Sequence, residues 1–146
     1  MIPQISQAPG VVQLVLNFLQ VLEQQGFTGD TATSYADRLT MATDNSVYQL
    51  LPDAILFPRS TADVALLARL AAEERFKSLI FTPRGGGTGT NGQALNAGII
   101  VDMSRYMNRI IEINPEEGWV RVEAGVIKDQ LNQFLKPDGY FFAPEL

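Results

Sequence analysis

The stretch Ser78-Leu79-Ile80-Phe81-Thr82-Pro83-Arg84-Gly85-Gly86-Gly87-Thr88-Gly89-Thr90-Asn91-Gly92 passes from an apolar run straight into a loop where five of ten residues, 83–92, are glycine. Leu79-Ile80-Phe81 reads as a strand. Glycine weakens strand and helix interiors, so five close together need a reason. Without Cβ atoms such a loop can turn several backbone N–H groups toward one point and let a ligand come close. That makes a nest for anions, phosphates above all. The diphosphate of a dinucleotide is the leading candidate, and a tight turn with no ligand is the alternative.

Working outward, Ala54-Ile55-Leu56-Phe57, closed by Pro58, reads as a buried strand. Ser60 caps a helix, with Asp63 approximating a capping box. Val64, Leu67, Leu70 and Ala71 form its buried stripe, and Glu73, Glu74 and Arg75 end it on a solvated face. The unit is β-α-β, with parallel strands and a right-handed crossover expected. The glycine loop leaves the carboxyl end of its second strand, where ligands bind in open α/β sheets. Downstream, Gly98-Ile99-Ile100-Val101-Asp102 is a third strand. Residues 109–113 and 119–123 read as an antiparallel hairpin around the five-residue loop Asn114-Pro115-Glu116-Glu117-Gly118. Residues 126–135 form a last short helix with Ile127, Leu131, Phe134 and Leu135 inward. The chain then runs through Tyr140-Phe141-Phe142-Ala143-Pro144-Glu145-Leu146, an aromatic stretch with nothing after it to cover it.

Upstream, residues 11–25 read as a helix entered after Pro9-Gly10 and stopped by Gly26. Leu14, Phe18, Leu22 and Val11, Val15, Leu19 lie in adjacent apolar rows. Residues 27–53 read as turns with a short helix at 35–41. Tyr35, Arg38 and Tyr48 could reach a ligand there, and surface packing is the simpler expectation for each. Residues 1–52 are thus expected to pack, as a helical and irregular segment, on a domain at 53–146.

The chain has 146 residues, 11 basic and 16 acidic, with no cysteine and no histidine. The net charge of −5 lacks the clustered positive face that nucleic acid demands. Disulfides, thiol catalysis, histidine metal sites and Ser-His-Asp chemistry are excluded from this segment, and no metal site is expected. The start lacks a basic leader, and Gln13, Asn17 and Gln20 interrupt the apolar run that follows. A cytoplasmic protein with no integral membrane span is expected.

Gly87-Thr88-Gly89-Thr90-Asn91-Gly92 satisfies G-x-G-x-x-G, but the context refuses the dinucleotide fingerprint. That fingerprint opens a crossover helix of at least about ten residues. Here only Gln93-Ala94-Leu95-Asn96-Ala97 separates the loop from the next strand. Asp102 comes too soon to be the acidic residue expected about twenty positions on. No Gly-Lys-Ser/Thr occurs, so a Walker A loop is absent. What remains is a glycine loop that cradles a diphosphate without a following helix, using peptide N–H groups, the Thr88 and Thr90 hydroxyls and the Asn91 amide. Arg84 either adds positive charge there or pairs with a nearby carboxylate.

Four ordered motifs, at 52–64, 83–94, 98–104 and 122–126, together resemble the FAD-binding domain (PCMH-type) of the vanillyl-alcohol oxidase/p-cresol methylhydroxylase superfamily. The similarity is to its branch of FAD-linked 2-hydroxyacid dehydrogenases, of D-lactate, glycolate and D-2-hydroxyglutarate type. The resemblance implies an α+β fold: a small parallel sheet with helices, then an antiparallel subdomain, with FAD between them. It implies that Arg84, Gly85, Gly86, Gly87, Thr88, Gly89, Thr90, Asn91, Gly92 and Gln93 form the diphosphate loop. Many relatives carry Ser at the position of Gly89 and Leu at Thr90, which leaves open which hydroxyl faces the phosphate. Where some branches tether FAD through a histidine, Thr88 stands, so binding is expected to be non-covalent. The family continues past this point with the rest of the flavin site and a domain for the 2-hydroxy acid. The chain is therefore expected to be an amino-terminal fragment of an FAD-dependent oxidoreductase, with no catalytic residue of its own. Self-association through the aromatic tail is also expected. A stand-alone nucleotide- or diphosphate-binding module is the alternative.

Overall fold

The computed structural model describes residues 10–143. Its centre is a mixed four-stranded sheet of β1 (Asp30–Ala32), β2 (Ala54–Phe57), β3 (Phe81–Arg84) and β4 (Ile99–Asp102) in the order β1-β2-β4-β3. Around it stand α1 (Gln13–Gln24), α2 (Tyr35–Thr40) and α3 (Thr61–Ala71). The antiparallel pair β5 (Ile110–Asn114) and β6 (Trp119–Val122) and then α4 (Lys128–Leu135) complete the chain. The α+β class read from the sequence is the one observed. β2 and β3 each pair β4 in parallel, so the two strands of the β-α-β unit are not neighbours; β4 lies between them.

β2 and β4 are buried along their whole length, as their unbroken apolar sequences require of central strands. Leu56, Ile99 and Val101 on one face pack with Val15, Phe18 and Leu22 of α1 and Leu66, Leu67 and Leu70 of α3. Ile55, Phe57 and Ile100 on the other face meet Ala32, Met41 and Tyr106. Ser60 caps α3 by accepting the Asp63 N–H at 3.2 Å. Among the described residues the Asp63 carboxylate does not accept the Ser60 backbone N–H, as a capping box would have it do. It accepts the Arg59 N–H at 2.9 Å and the Thr28 N–H and hydroxyl at 2.8 Å each, tying residue 28 to the start of α3.

Several expectations shift. The second strand begins at Phe81, not Leu79: Leu79 closes a turn onto the Phe76 carbonyl, and Ile80 is 65% exposed. The strand runs on through Pro83 and Arg84 because β3 is an edge, where a missing N–H costs no ladder bond. Phe76, which the charged end of α3 conceals in the sequence, is buried against Phe18. The segment read as turns and one short helix does hold α2, and it also supplies β1, antiparallel to β2. Arg38 is buried, not superficial, and donates to the Pro52 carbonyl at 2.6 Å. In α1 the buried residues are Val15, Phe18, Leu19 and Leu22, while Pro9 lies outside the described residues. In α3, Leu66 replaces Val64 in the buried stripe, and in α4 only Leu131 and Leu135 are buried. Ile127, which precedes the helix, and Phe134 are exposed. The hairpin connection is four residues, Pro115-Glu116-Glu117-Gly118, since Asn114 pairs with Trp119.

Candidate functional site: a glycine-lined anion cradle

β2, β4 and β3 run parallel, so their carboxyl ends share one edge, and residues 85–98 leave β3 from that edge without forming helix or strand. The missing crossover helix agrees with the rejection of the dinucleotide fingerprint. A turn within the loop and one side-chain anchor bring it back to the sheet. Leu95 donates to the Gly92 carbonyl at 3.0 Å, and the buried Asn96 side chain donates to the Ile80 and Ile99 carbonyls at 2.9 and 3.3 Å. Asn96 escaped the sequence reading because a lone Asn in a glycine-rich run looks like a turn residue.

The loop lines a cleft of about 410 Å³ bounded by residues 83–90, Gln93 and Ala94. Within it, the Gln93 side chain accepts the Asn91 N–H at 3.0 Å, so these two residues are bonded to each other. Among the described residues, no N–H of residues 85–90 donates a hydrogen bond. Residues 85–90 are exposed or half-buried, so these donors are open to a ligand or to solvent.

The glycines divide into two kinds. Gly87 has φ +68°, and a Cβ there would collide with the Arg84 guanidinium, so the fold itself requires glycine. Gly85 and Gly86 have no positive φ. A Cβ on Gly85 would meet nothing within 4 Å, and one on Gly86 only the Thr88 methyl at 3.6 Å. Nothing inside the chain demands glycine at 85 and 86. Bare backbone there serves whatever approaches from outside.

Of the two roles left open for Arg84, pairing with a carboxylate is not seen: no ion pair of Arg84 occurs among the described residues. Its Nη2 donates to the Thr43 carbonyl at 2.8 Å, and Nη1 is buried without a partner among the described residues. The guanidinium thus lies beneath Gly87, a fixed positive charge at the loop. Asp44 is close enough to feel it. The Asp44 carboxyl is held below its ordinary value chiefly by the Ser46 hydroxyl, against the opposing effect of burial, with help from the Ser46 and Ala94 amides and the Arg84 charge. Asp102, buried, accepts from the Ser104 hydroxyl at 2.9 Å and the Arg105 N–H at 3.1 Å, and so shapes the turn after β4. Among the described residues no cluster of ligating side chains could hold a metal ion. No helix there is long and apolar enough to cross a membrane.

A donor-rich, side-chain-poor cradle at the carboxyl edge of a parallel sheet defines a phosphate- or nucleotide-binding α+β domain. Residues 52–146 match the family described as "FAD binding domain", and the chain belongs to that family. It is 91% identical, over all of its 146 residues, to D-2-hydroxyglutarate dehydrogenase of Escherichia coli (strain K12), and it spans 14% of that protein's length. Identity to D-2-hydroxyglutarate dehydrogenase of Pantoea ananatis (strain AJ13355) is 78%, with the same coverage of each. Among solved structures, an alkyldihydroxyacetonephosphate synthase superposes with a TM-score of 0.72 at 20% identity, over 92% of this chain and 26% of that one. That likeness shows a shared fold.

Proposed function

We propose that the cradle holds the diphosphate of FAD, with Arg84, Gly85, Gly86, Gly87, Thr88, Gly89, Thr90, Asn91, Gly92 and Gln93 as the binding loop. The observation that carries this reading is the bare backbone at Gly85 and Gly86 beside a run of unpaired N–H groups. The Thr88 and Thr90 hydroxyls flank those donors, and the Arg84 guanidinium adds positive charge from beneath Gly87. This loop holds the FAD non-covalently, since it offers neither histidine nor cysteine for a flavin bond. When bound, the flavin supplies the hydride-accepting chemistry. This chain's part is to bind and orient it, and no residue here is assigned to acid–base work.

The chain is a portion of a longer cytoplasmic flavoenzyme that oxidises a D-2-hydroxy acid. High identity to two proteins named D-2-hydroxyglutarate dehydrogenase favours that substrate over D-lactate. Residues 53–146 form part of the FAD-binding domain, and of the segment 1–52 the described residues, 10–52, pack on it. The 146-residue chain alone self-associates through its aromatic tail. The test is titration of the full-length apoprotein with FAD, followed by flavin absorbance and fluorescence, beside the Gly86→Val variant. Wild type is expected to take up FAD. The variant is expected to lose at least tenfold in affinity with the melting temperature of its apoprotein unchanged, because the added side chain enters open space. Equal FAD affinity in both proteins would refute the assignment of this loop.

A further inference from the structure

A glycine-rich loop without secondary structure is a poor preformed site unless something outside it fixes its shape. We propose that the turn at residues 43–48, which precedes the family-matched residues, is a positioning element of the cofactor site that holds the phosphate loop in its binding shape from behind. The inference rests on the assignment of FAD to this loop and adds a part of the chain that the assignment does not use.

Three contacts carry it. The Asn45 N–H donates to the Gly87 carbonyl at 3.0 Å, and among the described residues no other backbone hydrogen bond joins residues 85–90 to a separate segment. In a trans peptide the C=O and the following N–H point in opposite directions. With the Gly87 oxygen fixed on the turn, the Thr88 N–H is directed away from it. Arg84 Nη2 grips the Thr43 carbonyl, which anchors the same stretch where it leaves β3. At the far end of the loop the Tyr48 ring lies against Gly92, where a Cβ would come within 3.1 Å of Cδ2. The turn therefore touches the loop at its start, middle and end.

The turn is itself built to hold one shape. Asp44 Oδ1 accepts the Ser46 N–H at 2.9 Å, and Ser46 Oγ accepts the Tyr48 N–H at 3.1 Å, two successive side-chain-to-backbone turns. Leu50 donates to the Ala42 carbonyl at 2.9 Å, and Thr43 bridges Gln49, which closes the base.

The experiment uses the full-length protein and reads two quantities: FAD affinity by titration of the apoprotein, and the melting temperature of that apoprotein. Asn45→Pro removes the donor to Gly87, whereas Asn45→Ala keeps it. Asn45→Pro is expected to weaken FAD about tenfold, the effect of roughly 1.4 kcal/mol of lost pre-organisation, and Asn45→Ala to bind as wild type. Should Asn45→Pro lower the melting temperature of the apoprotein sharply, Ser46→Ala decides, with an expected weakening of about threefold. Unchanged FAD affinity in the deciding variant would overturn the proposal while leaving the loop assignment intact. Failure of wild type to bind FAD would instead overturn that assignment.

Discussion

Single residues here divide by whether their neighbours explain them, and Asp63 is the best explained. It is buried, and burial alone would raise its carboxyl, yet the Thr28 and Arg59 amides and the Thr28 and Ser60 side chains outweigh that and hold it below its ordinary value of 3.8. A carboxyl depressed in the folded state contributes stability that is complete above its unfolded value and disappears as pH falls through the lower folded one. Asp63→Asn is thus expected to destabilise the chain by about 2 kcal/mol at pH 7, since it loses bonds to a charged acceptor. The gap should begin to narrow as pH falls below 3.8, where the unfolded chain takes up the proton, and close once pH passes the lower folded value. Urea denaturation of both proteins at pH 7 and pH 3 checks it, and a pH-independent gap would refute it. The role of Asp63 was half legible: Ser60 three residues ahead signals a cap, but no local pattern reveals Thr28 as a partner 35 positions away. Asp44 and Asn45 were invisible for a related reason. They looked like ordinary turn residues, and their importance comes from which loop they turn against.

At the scale of elements, hydrophobic periodicity was a good guide wherever one element met the core by one face. Helix α1 follows its apolar rows, with Val15, Phe18, Leu19 and Leu22 buried. β2 and β4 follow their unbroken apolar runs. It failed at edges. β3 carries Pro83 and Arg84, which strand propensity does not favour, because pairing with β4 on one side decides the matter. β1 is three residues long and is likewise defined by its partner rather than its composition. Helix α1 also reaches toward the cradle: the Phe18 ring sits 5.1 Å from both Phe76 and Phe81, and Phe81 opens the strand that delivers the glycine loop. Phe18→Ala should cost about 3–5 kcal/mol, a large share of a typical domain's stability of about 5–15 kcal/mol. Leu16→Ala, on the exposed side of the same helix, should stay within about 0.5 kcal/mol. Chemical denaturation of the two variants tests this, and equal losses would show that α1 does not dock as described.

For the molecule as a whole, one surface stands apart from the cradle. Tyr140, Phe141 and Phe142 are all exposed, Phe141 to 74%. Beside them, Ile113, Trp119, Val120 and Leu135 line a cleft of about 120 Å³ between the hairpin and the tail. The tail is held in place, since the Phe142 N–H donates to Asn132 Oδ1 at 2.7 Å and the Asn132 side chain returns a bond to the Phe142 carbonyl at 3.3 Å. Aromatic rings fixed in water keep little entropy to lose on association and gain burial at roughly 25 cal/mol per Å². The sequence announced this surface as an uncovered aromatic run, although its final residues, 144–146, lie outside the described ones. The 146-residue chain is therefore expected to associate in a concentration-dependent way. Sedimentation velocity should show its mean mass rising above 16.0 kDa as concentration increases. Phe141→Ser should shift that rise to at least tenfold higher concentration. A wild-type chain that remains at one mass throughout, or a Phe141→Ser chain that associates as readily, would mean that these rings do not drive contact between copies.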